Sequence, residues 1–310
     1  MGKTVLMFPG QASQYVGMAK DLYRHSDEVK ALYKLALQEI GEDIARLSFE
    51  GPADKLKETR FTQPAILLHS LAVLKILKDA LPRFDFTCGH SLGEYGALAV
   101  SGALSFEKAV KAVVKRAALM EEACRKNPGT MAAIIGLDES QIAKVCHDAS
   151  KAGVVVPANF NSKNQIVISG EIEAVKSACE LAKAAGAKRA MLLEVGGAFH
   201  SPLMKPAREG LRKYLDSVTI NEPSTPVIAN VTATPVKNHA EIKKLLVEQV
   251  TAPVKWSHTM DFLSKNSVNT VIEIGPGKVL GGMAKRDMAT EKIINLDTLA
   301  DIEAFASVAV

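Results

Sequence analysis

Ser91 stands between two glycines in Gly89-His90-Ser91-Leu92-Gly93, with a short apolar run before it and a helical pattern after it. That order suits a nucleophile elbow. A strand turning sharply into a helix lifts the serine Oγ clear of the backbone, and the flanking glycines remove side chains that would block the turn and the substrate. A serine is a weak nucleophile at its own pKa and needs a base. His200 is the candidate, because Gly196-Gly197-Ala198-Phe199-His200-Ser201-Pro202 is a glycine-rich connection that enters a helix. His25 and His69 fall in helical patterns and are read as structural, and His147, His239 and His258 as surface residues. His90 is expected packed or hydrogen-bonded beneath the elbow. The N–H of Leu92 opens the helix after Ser91 and is expected to donate to an oxyanion, with a second donor from Gly10-Gln11-Ala12. No acidic residue announces itself as the partner of His200, so a backbone carbonyl is an alternative.

Arg116 is the second chemical clue. Along the helical stretch 106–123, Lys108, Lys111 and Lys115 share one face, whereas Ala109, Val113, Arg116 and Met120 line the other. An unpaired guanidinium in an apolar stripe costs several kcal/mol, on the order of the penalty for an isolated buried charge, so Arg116 must meet an anion. Either a structural carboxylate or a ligand carboxylate satisfies that demand. The fork geometry favours a bidentate carboxylate if the anion is a ligand.

These residues need a scaffold, and short β-rich runs alternating with helical ones point to an α/β protein with a largely parallel sheet. Residues 4–8 and 84–88 read as strands and residues 92–101 as the helix after the elbow. Pro9-Gly10-Gln11-Ala12-Ser13-Gln14 falls at the carboxyl end of the first strand, where open α/β sheets bind ligands. Helices are expected over 28–40 and 63–81, the second with Thr62 as N-cap and Pro64 in its first turn. The middle of the chain reads β-α-β-β-α-β, with strands over 131–135, 154–160, 165–169 and 187–193, and helices over 139–152 and 174–185. That is the order of a ferredoxin-like unit. It is expected to be a small subdomain inserted into the larger one, with a catalytic cleft between the two bodies. Strands over 227–229, 270–274 and 293–296 resume the large sheet. Gly275-Pro276-Gly277-Lys278 lacks both the dinucleotide and the P-loop spacing and is read as a tight turn.

Composition narrows the class. The 310 residues are 47% hydrophobic and carry a formal charge of +4, which fits a globular enzyme with a sizeable core. The cations are scattered, so nucleic acid is not an expected partner, while an acidic partner or substrate stays open; no membrane partner is expected. Cys88, Cys124, Cys146 and Cys179 form no C-x-x-C pair, which argues for reduced cytoplasmic thiols and against a metal site or disulfide framework. No run is long and apolar enough to span a bilayer, and no basic segment followed by an apolar one opens the chain.

Taken together, Phe8-Pro9-Gly10-Gln11-Ala12-Ser13-Gln14, Gly89-His90-Ser91-Leu92-Gly93-Glu94-Tyr95, Arg116, Gly197-Ala198-Phe199-His200-Ser201 and Glu273-Ile274-Gly275-Pro276-Gly277 resemble the malonyl-CoA:acyl carrier protein transacylases over nearly the whole chain. The resemblance implies an α/β-hydrolase-like large subdomain, residues 1–126 and 197–310, with a ferredoxin-like small subdomain inserted at 127–196. It implies ping-pong transfer of malonyl from malonyl-CoA, through Ser91, to the phosphopantetheine thiol of holo acyl carrier protein, for fatty acid synthesis and without a cofactor. His200 is then base and acid, and Gln11 and Leu92 supply the oxyanion N–H groups. Arg116 clamps the malonyl carboxylate, and Gln249 orients the histidine through its backbone carbonyl. Met120, Asn161 and Phe199 contact the substrate, Phe199 as a wall favouring malonyl over methylmalonyl. One position departs: Ala12 replaces the second glycine of the family's Gly-Gln-Gly, and an ordinary negative φ is expected there. A thioesterase is the nearest rival. A non-catalytic scaffold docking a carrier protein through Lys278, Lys285 and Arg286 is the other.

Overall fold

The structure, a computed structural model, describes residues 2–309, and the side chains of all of these but 79, 308 and 309. Among the described residues ten strands form two sheets. The larger sheet has the order β10-β9-β1-β2-β7-β8, from β1 (Lys3–Phe8), β2 (Phe86–Gly89), β7 (Val227–Ile228), β8 (Pro235–Val236), β9 (Val268–Ile274) and β10 (Lys292–Leu296). All neighbours are parallel except β7 and β8. A parallel sheet covered on both faces needs apolar residues at consecutive positions, and β1 shows this directly. Leu6 and Phe8 enter the core made with the helices Thr59–Leu77, Glu94–Val100 and Phe106–Lys126, whereas Val5 and Met7 pack on the opposite side with Trp256, Met260 and Leu280.

The smaller sheet is antiparallel, with the order β4-β5-β3-β6. It contains β3 (Thr130–Ile135), β4 (Val155–Ser162), β5 (Gln165–Gly170) and β6 (Arg189–Leu192), with the helices Glu139–Ala149 and Ile172–Ala184 between its strands. Side chains alternate along β3: Ala132 and Ile134 pack against those two helices, and Met131 and Ala133 join the large core. The β-α-β-β-α-β order expected from the sequence is the order observed.

Two expectations need correction. The helix expected over 63–81 starts at Thr59, capped by Glu58 without a side-chain bond, so Thr62 is not its N-cap and Pro64 lies in the second turn. Thr59 and Arg60 carry no signal that forbids a helix, and Pro64 removes only the hydrogen bond its own N–H would have made. The single helix expected over 92–101 is a 3₁₀ turn, Ser91–Gly93, followed by the α-helix Glu94–Val100. Among the described residues no helix is long and apolar enough to cross a membrane.

Candidate active site

Strand register brings the chemistry together. Phe8 at the end of β1 is paired with Gly89 at the end of β2, and Cys88 with Ile228 of β7. The Gly10–Gln14 loop, the elbow and Asn230 therefore emerge side by side at the carboxyl ends of adjacent parallel strands, where open α/β sheets place ligands. Ser91 has φ of +52°, the strained conformation of an elbow. A Cβ on Gly89 would lie 2.1 Å from the Gly93 carbonyl carbon, and one on Gly93 would lie 2.2 Å from the Phe8 oxygen. The two glycines are there because the turn and the strand beside it leave no room for a methyl group.

His200 Nε2 lies 2.9 Å from Ser91 Oγ, and His200 Nδ1 lies 2.8 Å from the backbone oxygen of Gln249. The second contact fixes the tautomer, with the proton on Nδ1 and Nε2 free to accept from the serine. Burial, then the Arg116 guanidinium, push the imidazole down to about 3. It is thus a neutral base at any pH near 7. Ser201 Oγ accepts from Leu203 N–H at 3.3 Å and donates to the Ala198 carbonyl at 2.7 Å, which closes the turn that carries His200.

Arg116 is fully buried. Its Nη1 donates to Gln63 Oε1 at 2.6 Å, and its Nη2 donates to Ser91 Oγ and to Gln249 Oε1, both at 3.0 Å. Nε has no partner. Among the described residues no carboxylate lies within ion-pair distance of this guanidinium; its hydrogen-bond partners are two amides and a hydroxyl. The structural carboxylate weighed for it from the sequence is not what it contacts. Burial alone disfavours the charged form and pulls its pKa down.

A cleft of about 510 Å³ opens beside Ser91, between the two sheets, with Gln11, Ser91 and His200 on one side and Met131, Asn161 and Leu193 on the other. Phe199 lines it as well. Met120 does not: it is packed in the core, 3.6 Å through its sulfur from Gln63 Nε2. His90 is packed against Trp256, with ring centroids 5.6 Å apart, and hydrogen-bonded as expected, on the cleft side of the elbow rather than beneath it. It lines the cleft and its Nε2 reaches Asn161 Oδ1 at 3.0 Å, a bond from β2's end to β4. The turn at Gly275–Lys278 leads into the helix Val279–Asp287, and its Gly277 N–H is taken by the Asp297 carboxylate at 3.0 Å. All four cysteines are free and buried.

Ala12 contradicts the expectation of a negative φ. Its φ is +77°, the conformation a glycine would adopt freely. Hydrogen bonds impose the turn: Ser13 Oγ donates to the Gly10 carbonyl at 2.6 Å and the Ala12 N–H donates to Gln14 Oε1 at 2.8 Å. The Ala12 amide is thereby occupied, which leaves Gln11, held through its side chain by Gln63 at 3.2 Å, as the loop's residue beside the serine. A left-handed L-residue costs about 1–2 kcal/mol, of which a glycine's extra unfolded-state entropy takes back about 0.5–1 kcal/mol. Ala12→Gly is therefore expected to raise unfolding stability by up to about 1.5 kcal/mol in urea denaturation; a loss of stability would contradict hydrogen bonds holding a strained alanine there.

Three residues of the site carried no role in the sequence reading. Gln63 links Arg116 to Gln11. Asn230 accepts the Ser91 N–H at 2.7 Å and donates to the Gly89 carbonyl at 2.7 Å. Glu94 accepts from both Asn230 and Gln249. An amide inside the strongly apolar helix 59–77 was the available signal for Gln63.

Residues 5–299 match the family described as acyl transferase domain. The malonyl CoA-acyl carrier protein transacylase of Bacillus subtilis (strain 168) is 46% identical over 287 residues, covering 92% of this chain and 90% of the relative. The crystal structure of the acyl-carrier-protein S-malonyltransferase from Bartonella henselae superposes with a TM-score of 0.94 at 39% identity, covering 100% of this chain and 99% of that one. A solved complex of a type II PKS acyl-carrier protein with its malonyl-transacylase gives 0.93 at 37% identity, with 99% of both chains covered. The chain belongs to the acyl transferase family, in the group of the malonyl CoA-acyl carrier protein transacylases.

Proposed function

We propose that the chain transfers a malonyl group from malonyl-CoA to the phosphopantetheine thiol of holo acyl carrier protein through a malonyl ester of Ser91, supplying extender units for fatty acid synthesis. The observation that carries this reading is Arg116, a buried cation at hydrogen-bond distance from the nucleophile with only neutral partners. A free carboxylate on the acyl group completes that site, and a neutral acyl chain does not.

His200 Nε2 takes the Ser91 Oγ proton as Oγ attacks the thioester carbonyl. The N–H groups of Gln11 and Leu92 receive the oxyanion. The C–S bond then breaks, and His200 returns the proton to the coenzyme A sulfur. In the second half His200 deprotonates the pantetheine thiol, the sulfur attacks the ester carbonyl, and Ser91 leaves as the hydroxyl. Gln249 orients the imidazole through its carbonyl. Asn161 and Phe199 line the path of the acyl group, Phe199 as the wall against an α-methyl, and Met120 sets its sulfur against the Gln63 amide that holds Arg116. The two sheets are read as an α/β-hydrolase-like body, residues 1–126 and 197–310, carrying a ferredoxin-like subdomain, 127–196, and the reaction is placed in the cytoplasm with no nucleic acid partner.

The test is a transfer assay with malonyl-, methylmalonyl- and acetyl-CoA, each with holo acyl carrier protein. Malonyl is expected to be the preferred donor with parallel-line, ping-pong kinetics. Release of free malonate at the same rate with and without carrier would instead make the chain a hydrolase, and equal turnover of methylmalonyl-CoA would remove the role given to Phe199.

A further inference from the structure

Glu94 opens the helix that follows the elbow, and the residue is 3% exposed. Gln249 Nε2 donates to its Oε2 at 2.7 Å and the Asn230 N–H donates to the same oxygen at 3.1 Å. Both donors belong to residues that hold the reacting groups. Asn230 Oδ1 accepts the Ser91 N–H at 2.7 Å. Gln249 gives its backbone oxygen to His200 at 2.8 Å and its side-chain Oε1 to Arg116 at 3.0 Å.

An amide side chain has one oxygen and one NH₂, and its neighbours decide which end points where. With Glu94 accepting from Nε2, the Gln249 oxygen has to face Arg116. A neutral acceptor in place of Glu94 could do this too, but a carboxylate does more. A charge-assisted bond is the stronger one, and a buried negative charge separated from Arg116 and from His200 only by Gln249 favours the cationic forms of both. A buried carboxylate is costly where it does nothing, and here it stands behind a serine–histidine pair whose histidine is oriented by a carbonyl rather than an acid.

We propose that Glu94 is a positioning residue for the acyl transfer: it fixes the Gln249 amide toward Arg116, and it supplies through Gln249 the negative charge that favours the His200 imidazolium formed during reaction. The second role rests on the function proposed above. Burial pushes the Glu94 carboxyl up to about 7, against the hydrogen bonds from Asn230 and Gln249 and the charge of Arg116. The other titratable groups facing it are Cys88 on β2 and Tyr95 beside it, both pushed up by burial and neutral near pH 7, and His200 beyond Gln249, already neutral. Burial thus moves the charge change of Glu94 into the range between pH 5.5 and 8.5, whereas it moves those of His200 and of neighbouring His90 down. In that range the wild-type kcat/KM for malonyl-CoA is expected to fall on acidification with an apparent pKa near 7, on the order of the value that burial gives the carboxyl.

The experiment is the pH profile of kcat/KM for malonyl transfer to holo acyl carrier protein, for the wild type, Glu94→Gln and Glu94→Asp, with thermal melting of each. Glu94→Gln keeps the shape and an acceptor oxygen. It is expected to lose about 10- to 100-fold at pH 8, in the lower part of the range for proton-transfer catalysis, and to lose the acid limb while melting close to the wild type. Glu94→Asp, which keeps the charge, is expected to retain the limb. A wild-type profile flat down to pH 5.5 overturns the proposal even if neither variant folds, as does a Glu94→Gln enzyme that keeps the limb. A wild type that does not transfer malonyl at all would fail the assigned function instead, and the hydrogen-bond role of Glu94 would then be judged by the melting of Glu94→Ala, which leaves the buried Gln249 and Asn230 donors unpaired, where an unchanged melting temperature overturns it.

Discussion

Arg116→Ala is expected to lower kcat/KM for malonyl-CoA by about 30-fold to several thousand-fold, the equivalent of the 2–5 kcal/mol lost when one partner of a buried hydrogen-bonded charge pair is removed. The loss should be selective. Arg116 contacts two amides and the nucleophile, so removing it deprives a carboxylate-bearing acyl group of its counter-charge and takes less from acetyl-CoA. The malonyl-to-acetyl ratio is thus the number to measure. Arg116→Lys keeps a charge but offers a point contact in place of a fork, and it cannot reach Gln63 and Gln249 together with the same geometry, so it should restore the ratio only in part. An unchanged ratio in Arg116→Ala would mean that the guanidinium serves packing and the elbow alone.

His200→Ala is the second large effect. Loss of a positioned general base lowers the rate of Ser91 acylation by about 10²- to 10⁴-fold. The same substitution has a signature in stability. Burial pushes the folded His200 pKa down to about 3, below its unfolded value of about 6.5, so its contribution is present above pH 6.5 and is lost as pH falls through the folded value. Glu94 and Glu273 act with the opposite sign. Burial raises each to about 7, so their stabilising effect is present below the ordinary carboxyl range and lost as pH rises through about 7, above the unfolded value of about 4.3. Comparing the wild type with His200→Ala cancels the carboxyl contributions. The wild type is expected to lose more stability than the variant between pH 7 and pH 4.5 in urea unfolding. Parallel curves would show that His200 titrates in the folded protein as it does in the unfolded chain.

What could be read ahead of the structure follows physical lines. Gly89 and Gly93 were legible because a tight turn leaves no other residue type room there. Arg116 was legible because a charge in an apolar helical stripe is an anomaly at any level of detail. Asn230 was not. Its Oδ1 meets the Ser91 N–H only because β7 lies beside β2, and strand order leaves no mark on local periodicity; in the sequence it reads as an ordinary Asn-x-Thr. Glu94 sat in plain view in the elbow motif, yet its use depends on Gln249, which is 155 residues away. Thr62 and Pro64 misled because cap residues announce helix starts by propensity, and a helix begun a turn earlier by Thr59 overrides them. Ala12 misled for the opposite reason: the loop's hydrogen bonds hold an alanine where a glycine would be expected.

The proposed transfer depends on a covalent malonyl ester on Ser91 that is handed to a carrier thiol. Intact-protein mass spectrometry after brief incubation with malonyl-CoA, then with holo acyl carrier protein, tests it directly, with Ser91→Ala as control. One malonyl adduct is expected on the wild type and none on the variant, with quantitative movement of the adduct to the carrier. An adduct that forms equally on Ser91→Ala, or one that is lost to water with the carrier left unmodified, would contradict it.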